Sequence, residues 1–225
     1  MAPPPPAELL GVGVVAAWLA MVVAMALLVR HRWPQQREWS RKLVHIGTGP
    51  VILVAWGFGI GKAVALPVAL VVTLAAALNH RFRLLPAVED VGRHSYGTIA
   101  YGASIAVLLA LFWPQQPLAV AAGVLVMAFG DGLAGLIGPA LPSPRWRLLG
   151  QCKSLAGTAA MAIAAAVVLG GAALLAAGSG QAAPPPLAWL SLALLATALE
   201  QLSFYGIDNL TVPVITGVLW SQWSA

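Results

Sequence analysis

Charged residues and cysteines are both scarce in this chain of 225 residues. Only 8% of the residues are charged and 60% are hydrophobic, whereas a water-soluble domain of this length carries about three times as much charge. The composition therefore excludes a soluble domain and indicates a protein that crosses a membrane several times. The single cysteine, Cys152, excludes an intrachain disulfide, a cysteine-ligated iron–sulfur cluster and a cysteine-rich zinc site.

Eight apolar runs have the composition of membrane-crossing helices. They cover residues 8–29, 44–60, 63–78, 98–113, 118–137, 155–177, 187–202 and 210–223. We predict an all-α, polytopic transmembrane helical bundle of about seven or eight segments, and the count depends on the short last run. Residues 1–225 are predicted to form a single integral membrane domain that begins with a Pro-rich tail at residues 1–7.

The basic residues are sorted to one side of this arrangement. The loops 30–42, 81–93 and 145–153 carry basic clusters, whereas the opposite loops carry only Lys62. Basic loops stay on the cytoplasmic side, so the clustered loops are predicted to be cytoplasmic and both termini to lie outside. We interpret these residues as topology signals and contacts to anionic membrane lipids, and we expect no nucleic-acid partner.

The residues capable of chemistry gather at the cytoplasmic ends of the predicted segments. Asp131 lies about two turns, or roughly 10 Å, inside the fifth segment. A charge at the centre of a membrane helix costs roughly 2.5–3.5 kcal/mol on insertion scales, which makes Asp131 a candidate functional residue. The other polar residues predicted in the same layer are Arg41, Lys42, His45, Tyr96, Thr98, Lys153, Ser154, Glu200, Asp208, Asn209 and Thr211.

These residue types suit the transfer of a phosphoryl or nucleotidyl group to a lipid. Asp131, Glu200 and Asp208 offer hard oxygen ligands for Mg²⁺ or another divalent cation. Arg41, Lys42 and Lys153 have the charge to neutralise a polyphosphate, and helix N-termini in the layer favour anions.

Simpler interpretations stand beside this one. Arg41 and Lys42 together are typical of a topology signal, His45 of an interfacial hydrogen bond, and the glycines after Gly130 of close helix packing. Asp208 and Asn209 have the composition of a helix N-cap. A transporter or a non-catalytic membrane scaffold is a further alternative, although the chain shows no internal repeat of the kind that many transporters have.

Five blocks of sequence occur in a specific order. They are RKLVHIGTG (41–49), YGTIAYG (96–102), FGDGLAGLIG (129–138), KSLAGT (153–158) and EQLSFYGIDNLTVPV (200–214). Together they resemble the phytol kinase and dolichol (polyprenol) kinase family, a relative of the membrane phosphatidate cytidylyltransferases, over about residues 37–219. The short chain and the DNLTVP block look most like phytol kinases of photosynthetic organisms. One departure is Ala156, where the family usually has Glu.

The resemblance implies a CTP-dependent kinase that uses a divalent cation to phosphorylate a long-chain isoprenoid alcohol, most closely phytol. It implies catalytic roles for Asp131, Lys153 and His45, with Asp131 and His45 both open as the general base. The implied nucleotide- and phosphate-binding residues are Arg41, Lys42, Lys153, Ser154 and Asn209, and the implied metal ligands are Asp131, Asp208 and Glu200.

The resemblance also implies a location in the cell and leaves an alternative activity open. It implies a plasma membrane or a photosynthetic, thylakoid-type membrane as the location. A cytidylyltransferase that acts on phosphatidate or a prenyl phosphate is the alternative within the same chemistry. The oligomeric state, including a homo-oligomer, stays open.

Overall fold

The structure, a computed structural model, describes residues 6–82 and 96–224. Most of the predicted Pro-rich tail and most of the basic loop at 81–93 lie outside the described residues. The helices are α1 (Pro6–Arg32), α2 (Arg37–Thr48), α3 (Val51–Gly57), α4 (Lys62–Phe82), α5 (Gly97–Phe112), α6 (Pro117–Leu125), a π-helix (Val126–Asp131), α7 (Gly132–Ala140), α8 (Leu155–Ser179), α9 (Pro186–Gln201) and α10 (Asp208–Trp223). The strands are β1 (Arg145–Leu148) and β2 (Gln151–Ser154).

The predicted all-α membrane bundle is confirmed. In the described part of the chain, four helices are long and apolar enough to cross a membrane: α1, α4, the continuous stretch Pro117–Ala140, and α8. The shorter helix α5 is also apolar. The total of seven or eight crossings stays a prediction.

Successive long helices place their ends at two opposite faces of the bundle. At one face the Glu8 carboxylate accepts a hydrogen bond of 2.8 Å from the Gly61 amide, and the Trp113 indole donates one of 2.8 Å to the Ile60 carbonyl. These contacts join the start of α1, the turn before α4 and the end of α5. The opposite face holds the start of α2, the β-hairpin and the α9–α10 junction, as the alternating topology predicts.

The helix α6 forms the centre of the bundle. All nine of its residues are buried, and it packs against α3, α5, α8 and α10. The outward faces of α8 and α9 are exposed and apolar, with Val167 68% and Leu174 77% exposed. Such faces suit contact with lipid rather than water.

The second predicted segment is broken rather than continuous. Helix α2 ends at Thr48 and α3 begins at Val51, so Gly49 and Pro50 lie at the break. A Cβ atom on Gly49 would lie 2.6 Å from the Cβ atom of Ala128, which shows how closely this bend approaches the π-helix.

A hairpin forms the basic loop at 145–153, between the fifth and sixth predicted segments. Arg145–Leu148 pairs antiparallel with Gln151–Ser154, and Lys153 therefore lies on a strand. The turn residues Leu149 and Gly150 both have positive φ angles, 49° and 77°, as a two-residue hairpin turn of type I′ requires. The hairpin aims Lys153 at the end of the bundle where the acids lie.

Candidate active site

Three carboxylates from different parts of the chain meet at the face that holds the hairpin. Asp131 ends the π-helix, Glu200 lies in the last turn of α9, and Asp208 begins α10. All three are buried, and one oxygen atom from each lies within 4.8 Å of the others. The structure thus brings together the three residues predicted as metal ligands.

The π-helix contributes to the position of Asp131. A π-helix inserts an extra residue into a helical turn, and such turns are frequent at functional sites. Its carbonyl groups face α2: the Met127 carbonyl lies 3.2 Å from His45 Nε2, and Lys42 Nζ donates to the Asp131 carbonyl at 3.0 Å. The π-helix therefore links Asp131 to α2, which carries Lys42 and His45.

Lys42 and His45 both contact the Asp131 side chain. Lys42 Nζ lies 2.6 Å from Asp131 Oδ2, and His45 Nε2 lies 3.3 Å from the same oxygen. A Cβ atom on Gly135 would lie 2.3 Å from Lys42 Cε, so a larger residue there would require the end of the lysine side chain to shift. The Lys42–Asp131 pair is buried, so the loss of either partner would leave the other charge buried and unpaired.

Glu200 has its own set of donors. Lys153 Nζ donates to Glu200 Oε1 and, at 2.8 Å, to the Glu200 carbonyl. Gln201 Nε2 donates to Glu200 Oε2 at 2.8 Å and to Thr158 Oγ1 at 3.1 Å. Each carboxylate oxygen of Glu200 is therefore held by a nitrogen donor.

The geometry of the site shifts the pKa values of Asp208 and Arg41. Burial, followed by repulsion from Asp131, raises the pKa of Asp208 above its usual value. Burial alone would lower the pKa of Arg41, but attraction to Glu38, 2.8 Å away, and to Asp131 outweighs it and the pKa is raised. The site thus combines a permanent positive charge with acids that repel one another.

Ser154 is the N-cap of α8. Its Oγ accepts a hydrogen bond of 3.1 Å from the Gly157 amide and donates one of 3.3 Å to the Gly138 carbonyl. Its hydroxyl therefore holds the start of α8 against α7, and its role toward a phosphate stays a prediction. At Ala156, the backbone N–H donates to Ser143 Oγ at 3.2 Å.

These residues surround a cavity of about 320 Å³. Its lining includes Arg41, Lys42, Asp131, Lys153, Ser154, Glu200, Asp208 and Asn209, and of the nine residues to which the resemblance assigns a role only His45 is absent from it. His45 is buried and lies against the Asp131 carboxylate instead.

Several lining residues were not predicted from the sequence. Glu38, Gln201, Ser203 and Tyr205 are polar or aromatic residues in or next to the quoted blocks, and that proximity was the available signal. Tyr96, predicted in the same layer, acts through its backbone: its N–H donates to the Tyr205 carbonyl at 3.0 Å and so anchors the loop between α9 and α10.

Comparison with known proteins identifies a relative. No protein-family model matches the chain. No solved structure matches it either. The chain is 38% identical to the phytol kinase of Synechocystis sp. over 206 residues, which cover 91% of this chain and 88% of the relative. At this identity and coverage, the chain belongs to the phytol kinase family.

Proposed function

We propose that the protein is a kinase that transfers the γ-phosphoryl group of CTP to the hydroxyl of a long isoprenoid alcohol, with phytol as the first candidate. The observation that carries this proposal is the cavity in which three buried carboxylates and two lysines converge at one end of an apolar helical bundle. The similarity to a phytol kinase supports the choice of acceptor.

The cationic side chains of the cavity suit a nucleotide triphosphate. Arg41, Lys42 and Lys153 line the cavity from two sides, on α2 and on β2. Phosphoryl transfer depends mainly on positioning and on charge stabilisation, which such groups supply. We assign all three to the phosphates of CTP.

The acids suit a divalent cation such as Mg²⁺. Three carboxylates within 4.8 Å of one another repel each other, and a hard cation relieves that repulsion through oxygen ligands. We assign Asp131, Glu200 and Asp208 as these ligands. When bound, the cation neutralises charge on the phosphates.

The reaction balances as a simple transfer. The alcohol oxygen forms a bond to the γ-phosphorus, and the bond from that phosphorus to the β–γ bridging oxygen breaks, which releases CDP. The proton of the hydroxyl group passes to Asp131, because Asp131 lines the cavity whereas His45 does not line it and lies against the Met127 carbonyl and the Asp131 carboxylate. A loose transition state requires little proton removal early in the reaction.

The position of the cavity suits an acceptor that stays in the bilayer. It lies at one end of a bundle whose outward helix faces are exposed and apolar. We propose that this end lies at the cytoplasmic interface of a plasma or photosynthetic membrane, so that only the hydroxyl end of the alcohol enters the cavity.

A product assay tests the proposal. The full chain, purified in detergent, receives Mg²⁺, CTP labelled at the γ-phosphate, and phytol, farnesol, geranylgeraniol, dolichol or phosphatidate in turn. We expect label in a prenyl monophosphate and release of CDP, with phytol among the best acceptors. Label recovered in pyrophosphate would instead show a cytidylyltransferase, and no transfer by folded protein to any acceptor would overturn the enzyme assignment.

A further inference from the structure

Asn209 carries a buried oxygen that accepts no hydrogen bond from the described part of the chain. The residue is 4% exposed and lines the cavity beside Asp208. Among the residues that the structure describes, no hydrogen-bond partner reaches Asn209 Oδ1. A buried acceptor without a donor is unfavourable, so such an atom points to a ligand that the folded chain is built to receive.

The other end of the same amide fixes its orientation. Asn209 Nδ2 donates to the Gly206 carbonyl at 3.3 Å and faces Asp208 Oδ1 at 3.5 Å. A rotated amide would place its oxygen against these two acceptors, which is unfavourable. The oxygen is therefore the group that Asn209 has available for a ligand.

We propose that Asn209 Oδ1 is the fourth protein oxygen of the cation site formed by Asp131, Glu200 and Asp208. This inference rests on the cation in the proposed function and changes the role predicted from the sequence, in which Asn209 contacts phosphate. Phosphate oxygens at neutral pH are acceptors, and an amide oxygen cannot donate to them. Mg²⁺, by contrast, is bound through oxygen ligands, and amide carbonyl oxygens serve hard cations in proteins.

The neighbours of Asn209 favour a cation over a neutral donor. Asp208 precedes it in the chain, and the carboxylates of Asp131 and Glu200 lie within 4.8 Å of the Asp208 ligand oxygen. A neutral amide oxygen adds a ligand without adding a fourth repelling charge. Asn209 therefore completes the oxygen set at lower electrostatic cost than another acid would.

Direct binding of Mn²⁺ tests the assignment without reference to turnover. The full chain in detergent is titrated with Mn²⁺ in the absence of nucleotide, and free Mn²⁺ is followed by electron paramagnetic resonance. We expect Asn209→Leu to weaken Mn²⁺ binding by about tenfold or more, whereas Asn209→Asp, which keeps an oxygen, retains it. Asn209→Ala gives the same comparison with a smaller side chain if the leucine variant does not fold.

Thr216 provides a matched control on the same helix. Its Oγ1 is also buried without a partner among the described residues, but Thr216 does not line the cavity. We expect Thr216→Val to bind Mn²⁺ as the parent chain does. Equal loss in both variants would show a general effect of altering α10 and would overturn the assignment.

The remaining outcomes separate this inference from the proposed function. If the parent chain phosphorylates an alcohol while Asn209→Leu binds Mn²⁺ normally, the kinase stands and the ligand assignment fails. If Asn209→Leu binds CTP more weakly but Mn²⁺ with unchanged affinity, Asn209 contacts the nucleotide and the ligand assignment fails. The ligand assignment also fails if the parent chain binds no Mn²⁺. A parent chain that binds Mn²⁺ through Asn209 but forms no product would overturn only the kinase.

Discussion

Two lysines at the cavity each hold a buried carboxylate through a direct ion pair. Lys42 pairs with Asp131, and Lys153 pairs with Glu200. Buried charge is unfavourable unless it is paired, so each lysine stabilises its acid in the chain without ligand. In the proposed function, Asp131 and Glu200 would hold a cation, and Lys42 and Lys153 would then be available to contact the phosphates.

Asp131 is the residue whose loss has the sharpest expected consequence. We expect Asp131→Asn to reduce kcat/KM for CTP by at least about 100-fold, because it removes the charge that holds the cation and accepts the proton. The asparagine keeps an oxygen that can accept from Lys42, which lies 2.6 Å from the carboxylate. We therefore expect the protein to fold, with a lower thermal stability because Lys42 loses its charged partner, and circular dichroism beside the product assay measures both.

Glu8 gives the control for this substitution. It is also a buried acid, but it lies at the opposite face of the bundle, where it accepts a hydrogen bond from the Gly61 amide. We expect Glu8→Gln to keep near-parental activity. Activity that is unchanged in Asp131→Asn would contradict the central role given to Asp131.

The sequence predicted much of the site at the scale of single residues, for a physical reason. An acid within an apolar run is expensive, so Asp131 was recognisable without any knowledge of its partners. The grouping of Glu200 and Asp208 with it followed from the alternating topology. The acceptor role of Asn209 could not be predicted, because it depends on which way one amide is turned by Gly206 and Asp208.

At the scale of elements, α6 and α10 are packed closely enough that glycine is required. A Cβ atom on Gly123 would lie 2.3 Å from the Pro213 carbonyl oxygen, which is backbone and cannot rotate away. We expect Gly123→Ala to lower the free energy of unfolding by about 1–3 kcal/mol, the usual range for overpacking. Thermal unfolding in detergent measures this change.

Gly178 is the matched position for that experiment. It also lies in a helix, but no heavy atom lies within 4 Å of a Cβ added there. Alanine favours helix over glycine by up to about 1 kcal/mol, so Gly178→Ala should leave stability unchanged or raise it slightly. Equal destabilisation of both variants would show that the packing of α6 on α10 is not the cause.

The hairpin is the element that links backbone conformation to activity. Gly150 has a φ angle of 77°, which is unfavourable for a β-branched residue, and the strand that follows it carries Lys153. We expect Gly150→Val to strain the turn by about 1–3 kcal/mol, displace Lys153 and raise KM for CTP several-fold. The main thermal transition of the bundle should not move, because the hairpin lies at its edge.

Gly59 allows the same strain to be placed elsewhere. Its φ angle is 65°, and neither there nor at Gly150 does a heavy atom lie within 4 Å of an added Cβ atom. Because Gly59 lies at the face away from the cavity, Gly59→Val should leave KM for CTP unchanged. A similar rise in KM for both variants would contradict a specific role for the hairpin.

The π-helix and the hairpin are the two elements that the sequence did not predict. Hydrophobic runs locate helices well, because a crossing needs a long apolar stretch. They do not report a π-turn such as the one at Val126–Asp131, which keeps the same composition as the α-helix around it. The hairpin was not predicted, because its strands have only four residues each and directly follow a segment with three prolines, Pro139, Pro142 and Pro144, which is typical of a loop.

At the scale of the whole molecule, the single cysteine allows a direct test of the predicted orientation in the membrane. Cys152 is exposed on the hairpin at the face predicted to be cytoplasmic. In intact cells, a membrane-impermeant maleimide should label it only after permeabilisation. A Cys152→Ser, Ser179→Cys chain moves the thiol to the far end of α8 and should be labelled without permeabilisation. The reverse pattern would show that the basic loops face outward, and labelling of both in intact cells would show that α8 does not cross.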